Sequence, residues 1–87
     1  MANKLPLTKI VLDVLKPIEP SIIVFCRELS KIKGIRVVNL SVIEMDRKTE
    51  TIKATIEGKN VDFNSIRKTI EDLGAVIHSI DQVVISK

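Results

Sequence analysis

Six side chains carry most of the chemistry this sequence offers: Asp13, Glu44, Asp46, Glu50, His78 and Asp81. A carboxylate and an imidazole within reach of each other bind a metal or titrate near neutral pH. Asp13 and His78 form such a pair if the strands that carry them are neighbours. Glu44, Asp46 and Glu50 are a second group, spaced so that Glu44 and Asp46 project from one side of a strand and Glu50 returns on the next. Clustered carboxylates hold calcium or magnesium when about six or more oxygens converge. A divalent cation such as calcium is therefore the cofactor these acids suggest. The plainer readings are a cross-strand polar pair under another chain, and a solvated hairpin balanced by Arg47 and Lys48.

Catalysis finds less support. His78 is the only histidine, and Cys26 falls on the apolar stripe of a helix, where a thiol stays protonated and inert. No nucleophile is paired with a base, and no glycine-rich phosphate loop is present. The chain is expected not to be an enzyme.

The formal charge of +3 arises entirely before Arg36. Six Lys and Arg stand against three Asp and Glu through Gly34, and the remainder is neutral. Nucleic-acid binding needs basic residues converging on one face, with aromatic platforms for single strands. Here the bases are interleaved with acids, and the only aromatics, Phe25 and Phe63, fall at helix-core positions. A nucleic-acid partner is not expected. No apolar run approaches the roughly 18 residues of a membrane helix, and Met1-Ala2-Asn3-Lys4 leads into no signal-peptide core. A cytoplasmic protein is expected, and the single cysteine leaves no intrachain disulfide.

The elements that must position these groups follow from hydrophobic period. Residues 8–15 are β-branched-rich and bounded by Pro6 and Pro17, a strand apolar on both faces and so an inner one. Pro20 suits a first helical position, and Ile22, Phe25, Cys26, Leu29 and Ile32 recur at helical spacing up to Gly34. Residues 35–46 alternate, with Val38, Leu40 and Val42 on one face. A polar turn over 46–49 leads into the cleanest alternation, Ile52, Ala54 and Ile56 against Thr51, Lys53, Thr55 and Glu57. Asp62 caps a second helix with Val61 stapled to Ile66. Phe63, Ile66, Ile70 and Leu73 form its stripe, and Gly74 ends it. A last strand runs from Ala75 to about Ile85 with a bend near Asp81-Gln82.

The order β-α-β-β-α-β over residues 1–87 is a single ferredoxin-like α+β domain. It predicts a four-stranded antiparallel sheet, first and third strands central, both helices on one face and the other face open. That fold serves many functions, so residues must discriminate. Soft-metal chaperones of this shape place thiolates after the first strand, acylphosphatase-like enzymes a glycine-rich anion loop and arginine. Lys16-Pro17-Ile18-Glu19-Pro20 has neither. RNA-recognition domains carry aromatics on the central strands, where this chain has Asp13, Lys53 and Thr55.

Val11, Leu15, Ile43, Val84 and Ile85 place apolar groups on the uncovered face or edges, which predicts a homo-oligomer. The stretches from Val11 to Pro17, Pro20-Ser21, Asn39 to Asp46, Ile56 to Gly58, and Ile77-His78-Ser79-Ile80-Asp81-Gln82-Val83 together resemble a small archaeal domain-of-unknown-function family. The resemblance covers nearly the whole chain. It implies a ferredoxin-like fold, assembly into oligomers and no established activity, and it carries over no catalytic residues. Asp13, Glu44, Asp46, His78 and Asp81 lie in the matching stretches, while Gln82 stands where such sequences usually carry an acid. The reading is a non-catalytic homo-oligomer that binds a metal ion or small ligand. The alternative is an amino-acid-sensing regulatory domain, from which the proline-bounded loop departs.

Overall fold

Residues 4–87 are described by a computed structural model, and the expectation drawn from Met1, Ala2 and Asn3 lies outside them. Six elements follow in the expected order: β1 (Leu7–Pro17), α1 (Ile22–Ser30), β2 (Ile35–Met45), β3 (Thr49–Gly58), α2 (Phe63–Asp72) and β4 (Val76–Ile85). The sheet is ordered β2-β3-β1-β4, with every neighbouring pair antiparallel. The β-branched alternation of β1 and β3 makes them the central strands. Their helix-side residues, Ile10, Leu12 and Val14 with Ile52, Ala54 and Ile56, meet Phe25 and Leu29 of α1 and Ile66 and Ile70 of α2 in one core. The chain is a ferredoxin-like α+β domain.

Local chemistry sets the helix ends, with two differences from the sequence reading. Ser21, not Pro20, starts α1: its Oγ accepts from the Val24 N–H at 3.3 Å, and Pro20 stands one residue outside the cap. The helix also stops at Ser30. The N–H groups of Lys31 and Ile32 donate to Glu28 and Leu29, an i→i−3 tightening typical of a final turn. Ile32 still packs on the core. Asp62 caps α2 as expected, Oδ1 accepting from the Asn64 N–H and Oδ2 from the Ser65 hydroxyl. Val61 and Ile66 are both buried beneath it.

Length mismatch shapes the molecule. Helices of 9 and 10 residues span about 15 Å, whereas strands of 10 or 11 span about 35 Å. The helices therefore cover only part of the sheet, in a body 51 Å long and 17 Å thick. Beyond their reach, every residue from Ser41 to Lys48 is exposed. Val42, expected on the apolar face with Val38 and Leu40, lies on this overhang and is 41% exposed. Val11 departs in the other direction: it faces away from the helices yet is buried, between its register partners Thr55 and Gln82.

Candidate functional site

The open face gathers the predicted chemistry from three strands. Asp13 on β1, Glu44 on β2 and His78 on β4 line one depression of about 380 Å³, with Leu15 and Thr51. β1 and β4 pair as the topology requires, but Asp13 is registered against Ser79, and His78 is the unpaired residue of a bulge between Ser79 and Ile77. A bulge re-aims one side chain while the flanking ones keep their faces. A second bulge at Asp81, between Gln82 and Ile80, is the bend anticipated from the broken alternation. Ile43 is skipped in the same way on β2, so that Glu44 lies opposite Thr51 and joins the open face.

The acidic hairpin is divided. Glu44 and Asp46 line an adjoining depression of about 450 Å³ with Met45 and Thr49, and the two depressions share Leu15, Glu44 and Thr51. Asp46 closes the turn locally: its N–H donates to the Thr49 carbonyl, and its Oδ1 accepts from the Arg47 N–H. Glu50 does not join them. It pairs with Lys16 across β3 and β1, on the helix side of the sheet, where its Oε1 accepts from Lys16 Nζ at 2.8 Å. Both residues are buried, and Lys16 Nζ also donates to the carbonyls of Pro17 at 2.7 Å and Ile18 at 3.1 Å. A carboxylate engaged this way is a structural partner, and the cation role considered for Glu50 has no geometric basis. The signal was present in the sequence: Ile10, Leu12, Val14 and Lys16, like Ile56, Ala54, Ile52 and Glu50, continue one period-two face.

Asp81 belongs to a polar strip beside the depression that the sequence reading did not assemble. Its Oδ1 accepts from the Ser79 hydroxyl at 2.8 Å, and its Oδ2 from Lys53 Nζ at 3.4 Å. The Ser79 hydrogen bond, opposed by desolvation and aided to a lesser degree by Lys53 and Asp13, holds the Asp81 carboxyl below the ordinary aspartate value. A carboxylate depressed in the folded state stabilises above its unfolded pKa, and that contribution disappears as pH falls through the folded value. Ser79→Ala is therefore expected to raise the Asp81 pKa, read by carboxyl carbon NMR shifts, and to destabilise at neutral pH but not in strong acid. An Asp81 titration unchanged by the substitution would contradict this assignment. The exposed Lys53 contact orients the carboxylate and contributes little to stability.

Among the described residues, no three histidine, cysteine, aspartate or glutamate side chains converge closely enough to hold a metal ion directly. Asp13, Glu44 and His78 surround a shared space and do not form a closed cage. Cys26, half-buried, places its Sγ 3.5 Å from the Val38 carbonyl oxygen, the contact of a structural thiol. No helix among the described residues is long and apolar enough to cross a membrane.

Comparison with known proteins places the chain in a family. Residues 8–87, from β1 through β4, match the profile of DUF211, described as uncharacterised ArCR. The uncharacterised protein MJ0319 of Methanocaldococcus jannaschii is 51% identical over 79 residues, spanning 91% of this chain and 81% of that protein. The chain belongs to the archaeal DUF211 family, a family of uncharacterised function.

Proposed function

We propose that the protein is a non-catalytic, cytoplasmic homo-oligomer whose open sheet face binds a divalent cation or a small cationic ligand. The observation that carries this reading is the meeting of Asp13, Glu44 and His78, from three strands, around one depression on the face the helices leave uncovered. Carboxylates and an imidazole attract a cation, and calcium is the cation that completes its six to eight ligands with water where few protein oxygens reach it. Self-association is supported by the apolar groups that the outer strands leave in solvent, Val42, Ile43 and Met45 on β2 and Val76, Ile80 and Val83 on β4.

Light scattering on the size-exclusion peak is expected to give a multiple of the 9.7 kDa chain mass. Saturating calcium is expected to raise the melting temperature by several degrees, with reversal by chelator and loss of the shift in Asp13→Asn, because a ligand bound only to the folded state stabilises it by mass action. A single-chain mass at tens of micromolar would overturn the assembly, and no shift with calcium or magnesium the cation site. A shift with an amino acid, and none with either cation, would assign the depression to a sensing role instead.

A further inference from the structure

The positive charge of the molecule is gathered at one end. Antiparallel pairing brings together the starts of β1 and β2 and the ends of β3 and β4. Backbone hydrogen bonds tie these ends to one another. The Lys59 N–H donates to the Gly34 carbonyl at 3.1 Å, the Val61 N–H to Leu7 at 2.8 Å and the Ser86 N–H to Pro6 at 3.1 Å. Residues 4–9, 28–36, 57–62 and 85–87 make up this end and hold seven Lys and Arg against three Asp and Glu, a balance of +4. The rest of the chain holds seven against eight, a balance of −1. Along the sequence these bases are interleaved with acids, the ground on which a nucleic-acid partner is not expected. The fold separates them.

The three acids of this end are already engaged. Glu28 pairs with Lys31 at 2.7 Å, Glu57 is registered opposite Lys9, and the Asp62 carboxylate caps α2. Lys4, Lys33, Arg36, Lys59 and Lys87 are exposed, and among the described residues none of the five has a carboxylate within ion-pair distance. Lys33 and Lys59 line one depression of about 370 Å³. In sheet order the five run from Lys33 and Arg36 beside β2, through Lys59 and Lys4, to Lys87 beyond β4. At about 4.8 Å between neighbouring strands, the row is about 15 Å wide.

We infer that this end is a sequence-independent contact for the phosphate backbone of a duplex nucleic acid, held by Lys33, Arg36 and Lys59 with Lys4 and Lys87 at the flank. A duplex carries one charge per ~1.7 Å of its axis, so about nine phosphates lie along such a row, enough to engage every cation. Phe25 is buried and Phe63 half-buried, so no exposed aromatic offers a stacking platform that would favour a single strand. A lone phosphate fits less well, because Asp62 lines the same depression as Lys33 and Lys59. An acidic protein would concentrate its binding in a few buried anchors, whereas these cations are spread across the whole end. The surface is separate from the open-face depression, which the opposite ends of β1 and β3 line with Leu15 and Thr51.

The test is fluorescence anisotropy of the whole chain with a labelled mixed-sequence DNA duplex, repeated across a salt series. Three to five neutralised phosphates give a slope of about −2.7 to −4.5 in log affinity against log salt, a loss of roughly 40- to 500-fold between about 50 and 200 mM. Lys33→Gln/Lys59→Gln is expected to flatten that slope by about 1.8 and to weaken binding at low salt roughly 10-fold. Arg47→Gln/Lys48→Gln removes the same charge from the opposite end and is expected to leave the slope unchanged. All four positions are exposed, and melting temperatures equal to wild type confirm that the variants fold. No binding at low salt would overturn the proposal. So would equal losses in the two double variants, which would show a response to net charge alone, or competition by polyglutamate as effective as that by unlabelled duplex, which would assign the surface to an acidic protein.

Discussion

Lys16→Met is expected to remove about 3–5 kcal/mol of stability, the usual consequence of deleting one partner of a buried ion pair. Lys16 is fully buried, and its ammonium has a partner for each of its three protons: Glu50 Oε1, the Pro17 carbonyl and the Ile18 carbonyl. Methionine fills much the same volume but leaves all three oxygens without that donor, one of them a buried carboxylate. The damage extends beyond the pair. The Lys16 ammonium holds the chain as it leaves β1, and the Ile18 N–H donates to the Lys48 carbonyl at 3.2 Å, tying the same segment to the β2–β3 turn. At about 4–8 °C per kcal/mol for a domain of this size, the melting temperature should fall by well over 10 °C. The double variant Lys16→Met/Glu50→Leu removes both charges and is expected to regain most of the loss, because an apolar pair of similar volume avoids the desolvation cost. Urea unfolding of the three proteins measures this. A loss below about 1 kcal/mol in the single variant would show that the pair is not desolvated.

Gly58→Ala is expected to cost about 3 kcal/mol, at the upper end of overpacking penalties, because the obstruction is backbone. A methyl group at Gly58 would overlap the Gly34 carbonyl oxygen and press on Ile35 Cα. Those atoms are fixed where they are: the Gly34 oxygen accepts from the Lys59 N–H at 3.1 Å, Ile35 is registered against Gly58, and Gly34 itself holds a φ of +89° that side chains disfavour. No rotamer change relieves such a clash. The chain entering β2 must move away from β3, so the loss should appear first as faster amide exchange at the start of β2. Gly74→Ala provides the comparison. Its added methyl meets only Pro17 Cγ, at 3.7 Å, so its cost comes from the positive φ of +87° and should be nearer 1 kcal/mol. Equal penalties for the two variants would refute the steric account of Gly58.

Both substitutions also bear on the binding reading. Lys16 and Glu50 lie on the opposite side of the same strands that present Leu15 and Thr51 to the open-face depression. Gly58 fixes the start of the strand whose far end carries Glu44. Loss of either support should loosen the spacing of Asp13, Glu44 and His78 before the sheet as a whole is lost.

What the sequence determined by itself is whatever rests on local pattern. Period-two alternation in four segments and period-3.6 stripes in two decided the element order, the central position of the first and third strands, and the helix-bearing face. Asp62 and Gly74 decided where α2 begins and ends, because caps and left-handed residues act within a turn of their own position, whereas α1 is capped by Ser21 rather than opened by Pro20 and stops at Ser30, short of Gly34. Asp13 and His78 were legible as neighbours from topology alone. Tertiary structure decided what depends on register and on which element reaches where. Only the bulges at Ile43, His78 and Asp81 settle that Glu44 and His78 share a depression with Asp13, since one inserted residue reverses every side chain beyond it. The period-two face of Ile56, Ala54 and Ile52 carries Glu50 to the helix side, but only the register between β3 and β1 reveals the buried lysine that pairs with it. The overhang of β2 is likewise invisible in its own residues. It follows from helices that rise about 1.5 Å per residue lying on strands that rise about 3.3 Å.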